Sequence, residues 1–372
     1  MSTLRIAVAM PQPPVWSETF IRAHLDRLSD VVLQLTGRPV PDRDGQGAFL
    51  LRPSLADRLL RRHRTGNEHA LEQAIAERLR SERVDVVLAE YGHIGHAMIG
   101  PCRAAGIPLV VHFHGFDAFH VKKLEQTGNY RELARAAAGV VVVSREMEAQ
   151  LRALGVPGDR LHYICYGIDL GRFAPIERPA TVARFTAVGR FTDKKAPHLT
   201  LLAFARALQR TPGLELVLVG DGPLREACIQ LAQALGVDHA VRFPGVMAPE
   251  EVSETLSGSL AFVQHSVITS DGDREGTPLA VLEAMARGLP VVATRHAGIA
   301  DVVEHGVSGL LSEERDLDTM ADHLVRIAGD AEAAFRMGRC GRQRVERRHE
   351  VGRQVAELQQ VLARAVTNGR ST

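Results

Sequence analysis

Short β-branched apolar runs alternate along the chain with longer stretches whose apolar positions recur every three to four residues. In the first half the runs Arg5–Met10, Ala48–Leu51, Asp85–Ala89, Pro108–Phe113, Gly139–Val143 and Leu161–Cys165 predict strands. Helical periodicity covers Glu68–Arg80 and Tyr130–Ala138 between them. The second half repeats the arrangement, with strands at Ala183–Gly189, Glu215–Gly220, Val241–Phe243, Ala261–Gln264 and Pro290–Ala293. Its helices are predicted at Pro197–Gln209, Leu224–Leu235 and Pro278–Arg287. Strand–helix alternation implies parallel sheets covered on both faces, hence an α/β protein of two doubly wound domains. Tyr166 to Ala180 carries Gly167, Gly171, Pro175 and Pro179 without periodicity and reads as a linker. The expected organisation is an N-terminal domain over 1–172, a second domain over 173–349, and a helix over 350–372 packing back toward the first. Such sheets bind ligands beyond the carboxyl ends of their strands, so two of them are expected to face each other across a cleft.

A length of 372 residues suits two cores, and 45% hydrophobic with 24% charged residues is ordinary for a soluble globular chain. The net charge of +1 argues against nucleic acid as a partner. Cys102, Cys165, Cys228 and Cys340 stand far apart without a Cys-x-x-Cys pair, which reads as free thiols in a reducing compartment. The run Ile6–Met10 is too short for a signal-peptide core, and no apolar stretch approaches the roughly 20 residues of a membrane span. A cytoplasmic location is expected. Arg58, Arg61, Arg62 and Arg64 lie beside Leu55, Leu59 and Leu60. They read as a solvated basic helix face, with a peripheral contact on the inner face of the plasma membrane as the alternative.

Four clusters carry candidate chemistry. In Glu275-Gly276-Thr277-Pro278-Leu279-Ala280-Val281-Leu282-Glu283, Pro278 suits the first position of a helix. The backbone N–H groups at that end would form an anion site fit for a diphosphate. Glu275 before the terminus and Glu283 about one and a half turns inside can accept hydrogen bonds from sugar and ribose hydroxyls. The plain alternative makes Glu275 a dipole-compensating charge and Glu283 a core-edge ion pair. Val188-Gly189-Arg190-Phe191-Thr192-Asp193-Lys194-Lys195 ends a strand, where Arg190 and Lys195 can clamp phosphate oxygens. Gly220 in Gly220-Asp221-Gly222-Pro223 and Gly245 in Phe243-Pro244-Gly245 permit tight turns and close approach of a ligand. His112-Phe113-His114-Gly115 places His114 at a strand end, able to reach a bound ligand. The His-x-His pair invites a metal, but spacing marks out no third ligand. Asp271-Gly272-Asp273 is read as an acidic loop rather than a cation site. No Gly-x-Gly-x-x-Gly fingerprint or Gly-x-Ser-x-Gly elbow stands in a strand–turn–helix context, which disfavours dinucleotide cofactors and hydrolase triads.

With these clusters the chain resembles glycosyltransferase family 4, retaining enzymes with two Rossmann-like domains (the GT-B fold). The resemblance is strongest from Ala187 to Leu311, above all in the Glu-x7-Glu stretch. Asp271 to Pro278, Thr294-Arg295-His296-Ala297-Gly298-Ile299 and Ser17-Glu18-Thr19-Phe20-Ile21 are similar to the branch that builds exopolysaccharides of the colanic acid or amylovoran kind. The resemblance implies that Arg190 and Lys195 hold the donor diphosphate and that Glu283 binds ribose. It implies that Glu275 with backbone groups of Gly276, Thr277, Pro278 and Leu279 holds sugar and phosphate, and that His114 contacts the sugar near the reacting centre. A nucleotide sugar, with UDP favoured, is then a substrate, and no metal or other cofactor is expected. The acceptor is expected to be a saccharide or a lipid-linked saccharide. The departures are Pro11-Gln12-Pro13-Pro14-Val15-Trp16-Ser17 in place of a Gly-Gly loop, Tyr166-Gly167-Ile168-Asp169 for Asn-Gly-Val-Asp, and His265-Ser266 for Pro-Ser. Rival readings are glycosylation of a small aglycone, a nucleotide-sugar epimerase of the same fold, and a non-catalytic nucleotide-sugar-binding subunit.

Overall fold

A computed structural model describes residues 4–14, 18–51 and 68–369. By internal contacts the chain forms two compact units, Met1–Cys165 with Gly352–Thr372, and Tyr166–Val351. The terminal helix Val351–Gly369 thus lies almost wholly in unit one, where Gln359 donates to Ser29 and Val361 flanks Gly139.

Unit one is built on the strands β1 (Ile6–Met10), β2 (Val31–Thr36), β3 (Arg43–Asp44), β4 (Val86–Glu90), β5 (Leu109–His112), β6 (Gly139–Val142) and β7 (Leu161–Tyr163). They form one sheet in the order β3-β2-β1-β4-β5-β6-β7, parallel except for the antiparallel edge pair β2–β3. Every residue of β1, β4, β5 and β6 is buried, as expected for strands covered by helices on both faces. Unit two holds β8 (Arg184–Val188), β9 (Glu215–Val219), β10 (Val241–Gly245), β11 (Ala261–Gln264), β12 (Val291–Thr294) and β13 (Gly309–Ser312). Their order is β10-β9-β8-β11-β12-β13, all parallel. In each sheet the winding reverses once, between β1 and β4 in unit one and between β8 and β11 in unit two. Beside such reversals the helices diverge and leave room for a ligand at the carboxyl ends of the strands.

Three local expectations need correction. Ala48–Leu51 is not a strand. Phe49 makes only an isolated bridge to Arg43, in a turn tied by the Gln46 and Ala48 N–H groups donating to Asp44 Oδ1. A four-residue apolar run carries no period, and here the exposed Phe49 ring covers the Arg43 guanidinium instead of a core. The strands next to the core at that end and at the far edge of unit two are β2 and β13, neither of which the pattern singled out. Finally, the helix expected from Pro278 begins at Leu279, and Pro278 is the extended cap residue with ψ 120°. The basic cluster at Arg58, Arg61, Arg62 and Arg64 lies outside the described residues. Among the described residues no helix is long and apolar enough to cross a membrane.

Candidate active site

The loop that leaves β11 runs to the helix Leu279–Arg287, which buries Val281, Leu282, Ala284, Met285 and Ala286 against the sheet. That burial fixes the helix start and so fixes Glu275, Gly276, Thr277 and Pro278 ahead of it, all four buried. The first turn carries no acidic side chain to oppose the positive helix end. Pro278 offers no N–H, and its carbonyl accepts from Val281 N–H at 3.1 Å. The N–H groups around the terminus are therefore those of its neighbours.

Glu275 is the focus of this loop. Its side chain is nine-tenths buried, and Oε2 lies 3.3 Å from Lys195 Nζ. Its other oxygen, Oε1, is buried without any hydrogen-bond partner. Burial pushes the carboxyl up, but Lys195, Lys194 and His296 outweigh it, so Glu275 is held below the usual carboxylate range. Burial also drives the Lys195 ammonium below its ordinary value, with Glu275 pulling the other way. Replacing a buried ion pair by apolar side chains is often neutral or stabilising by about 1–4 kcal/mol, so stability alone does not account for this one.

Two devices hold the backbone of Glu275 and Gly276. Its N–H donates to His296 Nε2 at 3.1 Å, and His296 Nδ1 lies 2.6 Å from Glu314 Oε1. With Nε2 accepting, Nδ1 carries the proton and donates to Glu314. Glu314 Oε2 in turn accepts from Ile268 N–H at 2.9 Å. The second device is Gly298, whose N–H donates to Gly276 O at 2.8 Å. A Cβ on Gly298 would fall 2.0 Å from Thr277 Oγ1, so no larger residue lets the two loops meet.

The remaining candidates of unit two gather at the ends of β8, β9 and β10. The Lys195 side chain lies over Gly189, whose N–H donates to Val219 O. Gly220 N–H donates to Gly245 O at 2.8 Å, and Gly220 has φ +129° with Gly189 O only 2.0 Å from where a Cβ would stand. Gly245 faces open space. Arg190 is exposed just beyond β8. Glu283 is half-buried, and burial raises its carboxyl above the usual range against the pull of Arg172 and Lys195. Asp273 pairs with Lys194 Nζ at 3.1 Å, so this acidic loop is tied to a cation of the protein itself.

His114 lies in unit one, just past β5. Its Nε2 is 2.8 Å from Glu90 Oε2 at the end of β4. Glu90 is fully buried, and its Oε1 is 2.7 Å from His24 Nδ1. Burial raises the Glu90 carboxyl, but His24, His114 and His112 together hold it well below the usual range. Asp117, also buried, accepts from the N–H groups of Gly92, His114 and Gly115, which pins the loop that carries His114. The His24, Glu90 and His112 ligand atoms lie within 4.8 Å of one another and are the group among the described residues able to hold a metal. The contacts from His24 and His114 to Glu90 already have ordinary hydrogen-bond lengths.

A chain of two doubly wound units with a buried, half-partnered carboxylate ahead of a helix start invites comparison with enzymes that handle nucleotide sugars. Residues 173–344 match the family model described as Glycosyl transferases group 1, and residues 22–172 match Glycosyltransferase Family 4. The amylovoran biosynthesis glycosyltransferase AmsK of Erwinia amylovora is 31% identical over 289 residues, 75% of this chain and 70% of that protein. WcaL of Escherichia coli strain K12, named for colanic acid biosynthesis, is 30% identical over 290 residues, 75% of this chain and 71% of that protein. The chain belongs to glycosyltransferase family 4.

Solved structures place this glycosyltransferase in the GT-B fold. HepE of Anabaena in complex with UDP superposes with a TM-score of 0.75 at 19% identity, covering 97% of this chain and 100% of that one. A sucrose-phosphate synthase from Thermosynechococcus elongatus gives 0.76 at 19%, covering 98% and 100%. Within unit two the glycosyltransferase brings Lys195 onto Glu275, packs Gly220 close against Gly189, and bonds Gly220 N–H to Gly245 O. His114 belongs to the other unit. Sequence reasoning passed over Glu90, His24, His296 and Glu314 as site residues. Of these only His296 carried a local signal, its place two residues before Gly298 in a quoted motif.

Proposed function

We propose that this glycosyltransferase transfers a sugar, with retention of anomeric configuration, from a UDP-sugar to a saccharide or lipid-linked saccharide in exopolysaccharide or cell-surface glycan synthesis. The observation that carries the reading is Glu275 Oε1, a buried carboxylate oxygen without a donor, at the mouth of a helix terminus that has no acid of its own. A sugar hydroxyl supplies the missing donor, and a diphosphate supplies the anion that the helix end favours. The names of the relatives support the pathway class, and the UDP complex of HepE supports the nucleotide.

As the anomeric bond loosens, negative charge grows on the leaving diphosphate. Arg190, Lys195 and the N–H groups of Gly276, Thr277 and Leu279 stabilise it, the kind of preorganised contribution that is usually largest in catalysis. The two cations and the N–H dipoles take the part a divalent ion plays in other transferases, so the reaction is proposed to be independent of metal. Glu275 orients the transferred sugar, Glu283 the ribose, and Gly220 and Gly245 allow close approach of the nucleotide. His114 is the group of unit one proposed to contact the sugar. The departing phosphate takes the proton of the acceptor hydroxyl on the same face, which yields retention without a protein nucleophile. A peripheral contact with the inner face of the plasma membrane through unit one is part of the proposal.

A thermal-shift screen over nucleotide sugars, followed by transfer to saccharide acceptors with the product anomer read by NMR, tests this reading. Expected are a shift with UDP-sugars, a product of unchanged anomeric configuration, and full activity in EDTA. Inversion, loss of activity in EDTA, or conversion of donor without acceptor would each overturn the corresponding part.

A further inference from the structure

Outside the donor loop, the most buried ionic constellation of the described residues is a line of four side chains in unit one. It begins at Gln354 on the terminal helix, whose amide Nε2 is 3.1 Å from His24 Nε2. His24 continues through Nδ1 to Glu90 Oε1 at 2.7 Å, and Glu90 Oε2 meets His114 Nε2 at 2.8 Å. Gln354, His24 and Glu90 are 4%, 0% and 0% exposed, and the His114 side chain is 3% exposed. The direction of every bond follows from one end. An amide nitrogen only donates, so His24 Nε2 accepts and its proton sits on Nδ1, directed at Glu90. An ionised carboxylate only accepts, so it draws the proton of His114 to Nε2 and leaves the ring's lone pair on Nδ1. Chains of such bonds in a water-poor interior hold their members in one arrangement.

We propose that Glu90 is a positioning residue that sets the tautomer and ring plane of His114, with His24 and Gln354 as the outer members of the same relay. The role for His114 rests on the transferase reading above; the relay itself does not. A carboxylate is required at Glu90 because both neighbours present protons to it. An amide of the same shape must donate through its nitrogen, and one of the two imidazoles then has to turn its tautomer around. His112 lies in the same cluster, with Nδ1 3.6 Å from Glu90 Oε2, beyond the two short contacts.

The test uses the full chain with 15N-labelled histidine. In the wild type, His24 is expected as the Nδ1–H tautomer and His114 as the Nε2–H tautomer, assigned by His24→Gln and His114→Gln variants. In Glu90→Gln, one of these two tautomers should reverse, while UDP affinity stays within about twofold and kcat falls about 100-fold, the cost of a misplaced group near the chemistry. Opposite tautomers in the wild type would overturn the relay whether or not any variant folds. So would unchanged tautomers in Glu90→Gln, equal losses in kcat and nucleotide affinity, or stoichiometric zinc on these side chains in the purified protein. Wild-type transfer activity is measured alongside, so a failure of the transferase reading leaves the spectra to decide the relay.

Discussion

Each unit buries a glutamate near the carboxyl edge of a parallel sheet, yet the two are partnered in opposite ways. Glu90 in unit one has both oxygens met by imidazole nitrogens at 2.7 and 2.8 Å. Glu275 in unit two has one oxygen on Lys195 at 3.3 Å and the other with no donor at all. Both are held as anions below the usual carboxylate range, so ionisation does not distinguish them. Saturation does. A carboxylate such as Glu90, with a partner on each oxygen, serves to fix the groups it meets. An open one such as Glu275 carries an uncompensated desolvation cost that a bound hydroxyl removes.

The comparison is broken most severely by Glu275→Gln. The amide keeps the shape and still accepts from Lys195, so folding should lose only about 1–2 kcal/mol. Transfer activity should fall about 10³-fold, the scale of a lost preorganised contact in the transition state. Steady-state kinetics beside a urea melt checks both numbers, and activity near wild type would remove Glu275 from the chemistry. Glu90→Ala should reverse the pattern in stability, because it strips the acceptor from two buried imidazoles. A loss of about 3–5 kcal/mol is expected in the same melt, and a loss below about 1 kcal/mol would mean that water or another group takes over as acceptor.

A third effect is shared with buried histidines of unit two. Burial pushes His265 and His349 down to about 4. His265 Nε2 accepts from Arg315 N–H at 2.9 Å, a contact that protonation abolishes. An unfolded chain takes up protons on both near the ordinary value of about 6.5. The folded unit binds fewer protons than the unfolded chain throughout the window from about 6.5 to 4, so stability falls as pH drops through it. Thermal melts between pH 7 and pH 4.5 should show a steadily lower midpoint, and a flat profile would contradict the burial of these rings as neutral species. The smallest expected effect is Gly245→Ala. Its φ of +82° costs an alanine about 1 kcal/mol, while the added carbon meets nothing in the free protein. Nucleotide titration by calorimetry should therefore show affinity weakened beyond that stability loss, and an unaltered Kd would take Gly245 out of the donor site.

Much of unit two was legible from the chain because its signals are local. Lys195 follows a strand end, and Gly276-Thr277-Pro278 precedes an apolar helix. Turn and cap chemistry of this kind acts over a handful of residues. The helix starts one position later than the pattern predicts, since proline serves as cap or first residue with the same φ. The supports of Glu275 were not legible. His296 and Glu314 stand 21 and 46 residues from the backbone groups they hold, and meet them only because β11, β12 and β13 are neighbours in the sheet. Gln354 lies 330 residues from His24. Nor could the four-residue runs at Ala48–Leu51 and Gly309–Ser312 be told apart, one a turn and the other an edge strand.

From residues alone came the alternation of strands and helices, the division into two doubly wound sheets, and the loops able to carry an anion site, because hydrophobic period and backbone punctuation are written in neighbouring positions. Which buried carboxylate is satisfied and which is left waiting was decided by the tertiary structure. That outcome depends on which strand ends lie side by side, and strand order leaves no trace in local spacing.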